Sequence, residues 1–201
     1  MTGIEIIDAP WGANDEQHLS NVIGEAFSAL EVSRYLIPDD TVRAQILTRH
    51  LRQQVRWARG HGQLLTDTGL GSAAVWFTVP ATGLPAIPHY EVTRAEVCGP
   101  HAGRFAEFES RLHTRHPLGR KHWHLAVLAV RPELQGQGLG TAHLEYQLAF
   151  LDEQRYPAYL EASDLLSRKL YLRHGFADHG EAFSCGIGGP LLFPMWREPS
   201  P

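Results

Sequence analysis

The chain has 201 residues and a mass of 22.4 kDa, enough for one compact domain with its own core but too few for two full domains. Hydrophobic residues make up 43% of it and charged residues 20%, and no apolar run approaches the roughly 18 residues of a membrane span, so the composition excludes disordered, fibrous and membrane-spanning proteins. The formal net charge of -4 argues against nucleic acid and anionic membranes as partners.

Cysteine usage and the N-terminus indicate a cytoplasmic protein. The two cysteines are Cys98 and Cys185, and residues 1–10 lack the basic and apolar stretches of a signal peptide. Neither cysteine lies in a motif that would activate its thiol, so we expect buried apolar side chains rather than nucleophiles.

Hydrophobic periodicity and turn residues predict a mixed α/β sheet. We assign Asp15 as the N-cap of the first long helix and place a break near Gly99 and Pro100 in a later one. In chain order the predicted elements are a strand at 3–8, helices at 15–30 and 39–59 separated by a loop at 32–38, a hairpin of 63–66 and 71–79, a loop at 80–88, a broken helix at 94–116, a strand at 123–130, a helix at 138–154, a strand at 158–162, a helix at 165–173, and strands at 176–185 and 191–197.

A glycine-rich turn at 130–141 lies between a predicted strand and a predicted helix. Backbone N–H groups at such a helix start, together with the helix dipole, bind phosphate or pyrophosphate, and glycines let the ligand approach the backbone closely. A Rossmann fingerprint would need glycine where Thr141 stands, and a P-loop would need a following Gly-Lys-Ser/Thr. Both nucleotide-binding motifs are therefore excluded. The turn either binds another anionic ligand or is a tight turn that binds no ligand.

Two motifs here resemble those of the GNAT superfamily of acyl-CoA-dependent N-acyltransferases. Gln135, Gly138 and Gly140 fit Gln-x-x-Gly-x-Gly, and further along a strand leads to a short helix with Tyr171 and then to Gly175-Phe176. The resemblance implies a single GNAT-like α/β (α+β) domain over 1–201, with a mixed, mostly antiparallel sheet of about six to seven strands, helices on both faces and one splayed strand pair that binds acyl-CoA. It also implies acceptor-pocket helices in 1–116 and an acetyl-CoA-binding half in 117–201.

Other segments between 71 and 197 are similar to the puromycin N-acetyltransferase-like branch of this superfamily. They are Ala73-Ala74-Val75-Trp76 with Thr78 and Pro80, His116-Pro117, Pro157-Ala158-Tyr159-Leu160-Glu161 and Met195-Trp196-Arg197.

The resemblance implies that acetyl-CoA lies where the strands ending at Val130 and Ala162 part. Its pantetheine arm would pair with the backbone of Leu128, Ala129 and Val130 like an added strand, and an N–H near the end of this segment would polarise the acetyl carbonyl. Ser167 stands where many relatives carry an asparagine that holds the CoA arm. The amides expected to meet the pyrophosphate are those of Gln135, Gly136, Gln137, Gly138, Leu139, Gly140 and Thr141.

Three residues are candidates for proton transfer. Tyr171 matches the family's tyrosine beside the CoA sulfur and would protonate the leaving thiolate, although a packed core tyrosine is the alternative. Strand alternation predicts that His124 shares one face with Ala126, Leu128 and Val130, where it would accept the amine proton with help from His122. Glu161, on the neighbouring strand, is the rival base, and its alternative is a structural ion pair.

Four histidines, at 113, 116, 122 and 124, raise the question of zinc. We place the first two on a helix end and the other two on a strand, without a nearby cysteine, so we expect no metal. The expected function is acetyl transfer from acetyl-CoA, a co-substrate, to a primary amine of a small molecule by direct transfer in a ternary complex. The alternatives are a protein or peptide amine as acceptor, or a non-catalytic acyl-CoA sensor, and the protein would be a monomer or homodimer.

Overall fold

The computed structural model describes residues 4–9 and 12–201. The predicted elements are largely recovered, and the first residue of the strand predicted at 3–8 lies outside the described part. The strands and helices are β1 Ile6–Asp8, α1 Ala13–Ser28, α2 Glu31–Leu36, α3 Asp40–His61, β2 Gly62–Asp67, β3 Ser72–Val79, α4 Tyr90–Cys98, α5 Ala102–Arg115, β4 His122–Val130, α6 Leu139–Glu153, β5 Ala158–Ala162, α7 Leu165–Arg173, β6 Ala177–Asp178, β7 Phe183–Ser184 and β8 Leu191–Arg197.

Local capping explains where several helices begin. Asp39 caps α3 by accepting from the Thr41 amide at 2.9 Å, because a short acceptor satisfies one of the free N–H groups at a helix start. The N-cap prediction for Asp15 was wrong: Gly12 is the N-cap of α1, and Asp15 lies in the first turn. An acidic side chain is favourable at either position because the helix dipole is positive at this end.

The predicted loop at 32–38 was also wrong, since α2 occupies most of it. Val32 and Leu36 are buried in the core, one helical turn apart. Their burial stabilises a helix that is too short to form on local propensity alone.

The eight strands form a sheet in the order β1-β2-β3-β4-β5-β8-β6, with β7 also pairing with β8. The β4–β5 pair is parallel and the other pairs are antiparallel. This confirms the mixed, mostly antiparallel α/β fold. The strand count exceeds the predicted six to seven because the single strand expected at 176–185 is divided into β6 and β7.

Helices cover both faces of the sheet, and each face has its own core. On one face the sheet packs under α1 to α5, with Leu19, Ile23, Val55, Val75 and Val127 among the buried residues. On the other it packs against α6 and α7, with residues such as Trp76, Leu144, Leu148, Leu160 and Met195.

A β-bulge in β4 reverses the orientation of its second half. Val75 pairs with Val127 and the next residue of β3 pairs with Leu125, so Ala126 is the extra residue. Such a bulge shifts which face the following side chains occupy. His124 therefore lies on the same face as Val127 and Ala129. These three residues pair with Phe77, Val75 and Ala73, which alternate along β3.

The predicted shared face was consequently wrong in part. Leu128 and Val130 pair with Ala74 and Ser72, and Leu128 packs against the core of the opposite face. Because sequence alternation assumes a regular strand, it could not place these two residues correctly.

The predicted splayed strand pair is β4 and β5. Their register runs only from Trp123 opposite Ala158 to Leu125 opposite Leu160. Beyond this point β4 continues to Val130 while β5 ends at Ala162. The edge of β4 past Leu125 is thus left without β5 as a pairing partner.

Candidate active site

The glycine-rich turn joins β4 to α6 and is exposed from Gln135 to Gly138. Gly136 and Gly138 have φ values of +74° and +92°, in the left-handed region that glycine adopts without strain. Gly138 is the N-cap of α6, and glycine has no side chain to cap the first amides of the helix. Those amides are therefore available to an anionic ligand.

The glutamines of this turn hold its shape. The Gln135 side-chain amide donates to the Val130 carbonyl at 3.0 Å, and that of Gln137 donates to the Glu133 carbonyl at 3.1 Å. Both side chains fold the turn onto itself. The Gln135 backbone amide donates to the Pro132 carbonyl at 3.3 Å, so the predicted ligand contacts fall to the amides from Gly136 onward.

Ser167 is part of a capping box at the start of α7. Its amide donates to Asp164 Oδ1 at 2.7 Å and its hydroxyl donates to the Asp164 carbonyl at 3.0 Å. The hydroxyl thus already has a structural partner, although the residue lines the cleft where the CoA arm is expected.

A cavity of about 280 Å³ extends from the place where β4 and β5 part to side chains of α1, α2, α3 and α5. Seven of the predicted site residues line it: Leu128, Ala129, Val130, Gln135, Glu161, Ser167 and Tyr171. The remaining turn residues, Gly136 to Thr141, lie at the adjoining start of α6.

Tyr171 is buried in this cleft, 8% exposed, and its ring lies 5.9 Å from that of Phe176. Burial, and secondarily the charge of Asp164, raises the pKa of the Tyr171 phenol. The phenol therefore stays protonated at neutral pH and can act as a proton donor.

His124 and Glu161, the two candidate bases, form a pair. His124 Nε2 lies 3.0 Å from Glu161 Oε2, and the two side chains are 11% and 8% exposed. Since a carboxylate accepts hydrogen bonds, the contact places an N–H on Nε2. The other nitrogen, Nδ1, is buried and has no hydrogen-bond partner among the described residues, so a neutral His124 keeps a lone pair there.

His116, which the sequence offered only as a candidate zinc ligand, lies beside this pair. It follows α5, and its ring centroid lies 4.9 Å from that of His124 and 4.9 Å from that of the buried Tyr159. Acceptor atoms of His116, His124 and Glu161 all lie within 4.8 Å of one another. The expectation that helix and strand would keep these histidines apart was wrong for His116 and His124, while His113 is exposed at the rim of the neighbouring cavity.

His122 fixes the orientation of His116. His122 Nδ1 lies 2.8 Å from the Arg120 carbonyl and must carry the proton, so its Nε2 accepts from His116 Nε2 at 3.0 Å. Burial, together with the charges of His124 and His122, lowers the pKa of His116 to about 2. Burial also lowers the pKa of His122. Both rings are therefore neutral, and His116 Nδ1 carries a lone pair.

A second cavity, of about 850 Å³, meets the first at Ala126 and Glu161. It is lined by α3, α4, α5 and the loop at 80–88, and its wall includes the stacked rings of Trp57 and His61, 3.4 Å apart. His116 and His124 also line it. Glu161 thus lines both cavities, and His124 lines the second.

A buried polar network that was not foreseen lies between the two cavities, since Tyr90 and Glu109 line both of them. Glu109 accepts from Tyr90 at 2.9 Å and from Arg94 at 2.7 Å, and lies 3.1 Å from His50 Nε2. Burial alone would raise the pKa of Glu109, but His50 and Arg94 hold it below its ordinary value. The cysteines behave as expected: both are free and buried, and burial raises the pKa of Cys98 to about 12 and that of Cys185 to about 11.

Comparison with known proteins agrees with this geometry. Residues 103–176 match the model of the acetyltransferase (GNAT) family, and this segment holds β4, the glycine turn, α6, β5 and α7. Over this segment the chain is similar to acetyltransferases of the GNAT family.

Solved structures with 11% to 21% identity show the same GNAT fold. A Corynebacterium glutamicum protein described as histone acetyltransferase HPA2 and related acetyltransferase superposes with a TM-score of 0.69 and 21% identity, over 100% of this chain and 98% of that one. Arylalkylamine N-acetyltransferase 2 from Aedes aegypti gives 0.58 and 11%, over 99% and 100%. The ribosomal-protein-S18-alanine N-acetyltransferase from Escherichia coli gives 0.54 and 16%, over 99% and 96%.

No curated protein sequence matches the chain significantly. Among the helices of the described residues, none has the length and apolarity required to cross a membrane.

Proposed function

We propose that this GNAT protein transfers the acetyl group of acetyl-CoA to a primary amine of a small molecule, directly and within a ternary complex. The observation that carries the proposal is the His124–Glu161 pair where two cavities meet, one lined by Tyr171 and adjoining the glycine turn, the other lined by α3, α4 and α5. A thioester in the first cavity and an amine in the second would meet beside this pair.

The cofactor side is built from backbone. The open edge of β4 beyond Leu125 can pair with the amide groups of a pantetheine arm as an added strand. The amides of Gly136 to Thr141, at the start of α6, suit the pyrophosphate. An N–H near Ala129 or Val130 would polarise the acetyl carbonyl, an effect worth roughly 10²–10³ in rate where measured.

The chemistry needs two proton transfers. The amine nitrogen attacks the thioester carbonyl carbon and loses a proton to His124, whose other nitrogen is held by the Glu161 carboxylate. The tetrahedral intermediate then expels the thiolate by breaking the C–S bond, and Tyr171 gives its phenolic proton to the sulfur. Either Glu161 or a water between the groups can replace His124 as the first acceptor.

The shape of the second cavity supports a small acceptor. The helices α3, α4 and α5, all within the N-terminal half assigned to the acceptor, line about 850 Å³, a volume that suits a small molecule. Trp57, His61 and Tyr90 line this cavity with aromatic rings, which suit an amine that carries an apolar or aromatic group. This composition is consistent with the predicted likeness to puromycin N-acetyltransferases, which remains part of the proposal.

The cysteines and the cavities bear on compartment and assembly. Free thiols at Cys98 and Cys185 suit a reducing cytoplasm. A monomer or a homodimer is expected, and neither the chemistry nor the cavities requires a second copy.

Thermal unfolding tests the proposed cofactor directly. Acetyl-CoA at 100 times its Kd stabilises a protein by about 2.7 kcal/mol, which corresponds to a rise in Tm of roughly 5–10 °C for a chain of this size. The same scan with amines added reveals the acceptor class, because a small amine and a peptide amine each raise Tm further only if they bind. No rise in Tm with acetyl-CoA would refute the proposal, and a further rise with peptides alone would favour a protein acceptor.

A further inference from the structure

The junction of the two cavities brings together three potential metal ligands from separate parts of the chain. His116 follows α5, His124 lies on β4 and Glu161 on β5, and one ligand atom of each lies within 4.8 Å of the others. The three side chains are largely withdrawn from solvent. Two imidazoles and one carboxylate are a donor set that Zn²⁺ prefers, whereas Mg²⁺ and Ca²⁺ prefer oxygen ligands alone.

We propose that His116, His124 and Glu161 bind one Zn²⁺ ion at the inner end of the second cavity.

The spacing suits this ion after a small side-chain movement. Zinc bonds nitrogen and carboxylate oxygen at about 2.0–2.2 Å, so ligand atoms around a tetrahedral ion lie about 3.4 Å apart. His124 Nε2 and Glu161 Oε2 are already 3.0 Å apart; when Nε2 binds the ion, its proton moves to Nδ1, which has no hydrogen-bond partner among the described residues. Bringing His116 into the same shell closes a separation of at most 4.8 Å, which rotation of its side chain can supply.

The surroundings of His116 are those of a metal ligand. Its Nε2 donates to His122, which in turn donates to the Arg120 carbonyl, so Nδ1 is the nitrogen with a free lone pair. A metal-bound histidine characteristically uses its second nitrogen in an outer hydrogen bond of this kind, which fixes the ring and raises its basicity.

The fourth position of the ion would face the cavity. All three ligands line the chamber of about 850 Å³, and three protein ligands with one open position are the arrangement in which zinc binds a water or another small ligand. Because His124 and Glu161 would then share their lone pairs with the ion, they would no longer accept a proton from an amine. This consequence rests on the proposed function: Zn²⁺ would inhibit acetyl transfer in competition with the amine and not with acetyl-CoA.

Calorimetric titration of the untagged protein with ZnCl₂, and visible absorption with CoCl₂, test the site without using activity. We expect one Zn²⁺ per chain with a Kd of about 10 μM or tighter, a tetrahedral cobalt spectrum, and no binding of MgCl₂. His116→Ala and Glu161→Gln should each weaken binding by more than the roughly 10- to 100-fold that loss of an outer partner costs. His113→Ala, which removes an exposed histidine at the rim of the same cavity, should leave the Kd within about twofold.

A rival site is available for comparison, since Cys98 Sγ lies 3.6 Å from His50 Nδ1. Binding that is lost in Cys98→Ser but kept in His116→Ala would overturn the proposal, as would an absence of binding to wild-type protein at about 1 mM Zn²⁺. Circular dichroism of each variant separates loss of a ligand from loss of the fold. If His116→Ala does not fold, Glu161→Gln is used in its place, because glutamine has nearly the same shape as glutamate. Binding without competition against the amine would leave the zinc site intact and refute the assigned acceptor position.

Discussion

Tyr171→Phe removes one hydroxyl from the candidate site and leaves the ring in place. The ring is 8% exposed and packs against Phe176 at 5.9 Å, and the substitution keeps these contacts. We therefore expect the free energy of unfolding to change by less than about 1 kcal/mol. A positioned general acid contributes roughly 10²–10⁴ in rate, so kcat should fall by that factor while the KM for acetyl-CoA stays within about twofold.

The pH dependence gives a second check on the same residue. Burial raises the pKa of Tyr171 above its ordinary value of 10.0, so the wild-type enzyme should show no loss of kcat from tyrosine ionisation up to about pH 10. Assays of CoA thiol release at a saturating amine concentration measure kcat and the KM for acetyl-CoA at each pH. Full kcat in Tyr171→Phe would remove the phenol from the mechanism, and a parallel fall in stability would show that its role is structural.

Three further substitutions test the turn, the base and a buried histidine. Gly138→Ala places a residue with a Cβ at φ +92°, a backbone conformation that costs it about 1–2 kcal/mol. Calorimetry should show that acetyl-CoA binds about tenfold more weakly to this variant. The control Gly103→Ala, where an added Cβ meets nothing within 4 Å, should bind acetyl-CoA as the wild type does. Glu161→Gln should lower kcat by roughly 10²–10⁴ without changing acetyl-CoA affinity, and unchanged turnover would exclude the carboxylate. Burial lowers the pKa of His143 from 6.5 to about 4. Between these pH values the imidazole is protonated in the unfolded chain and neutral in the folded protein. Stability should therefore fall by roughly 3 kcal/mol between pH 6.5 and 4, and urea unfolding of His143→Gln should show a shallower loss over this window; identical slopes would contradict the cause.

Local sequence signals were sufficient where one short-range interaction determines the structure. The glycine turn, the start of α3 near Asp39 and the bounds of β5 and α7 were predicted correctly, because turns and helix ends depend on neighbouring residues. The fold class followed from the alternation of strands and helices.

Tertiary packing decided what sequence could not. The short helix α2 depends on burial of Val32 and Leu36, and the bulge at Ala126 depends on pairing with β3. His116 is the clearest example in the candidate site: it reaches His124 and Glu161 only because the chain after α5 returns to the start of β4. The sequence showed a histidine before a proline, and that pattern does not specify such a contact.

Direct observation of acetyl transfer tests the central claim most simply. Purified protein is mixed with acetyl-CoA and each of a panel of arylalkylamines, aminonucleosides, polyamines and peptide amines; thiol release is followed continuously, and the products are identified by mass spectrometry. The account predicts amine-dependent CoA release and an N-acetylated small amine, both reduced by Tyr171→Phe and by Glu161→Gln. Acetyl-CoA binding without CoA release for any amine would contradict it and favour a sensor of acyl-CoA.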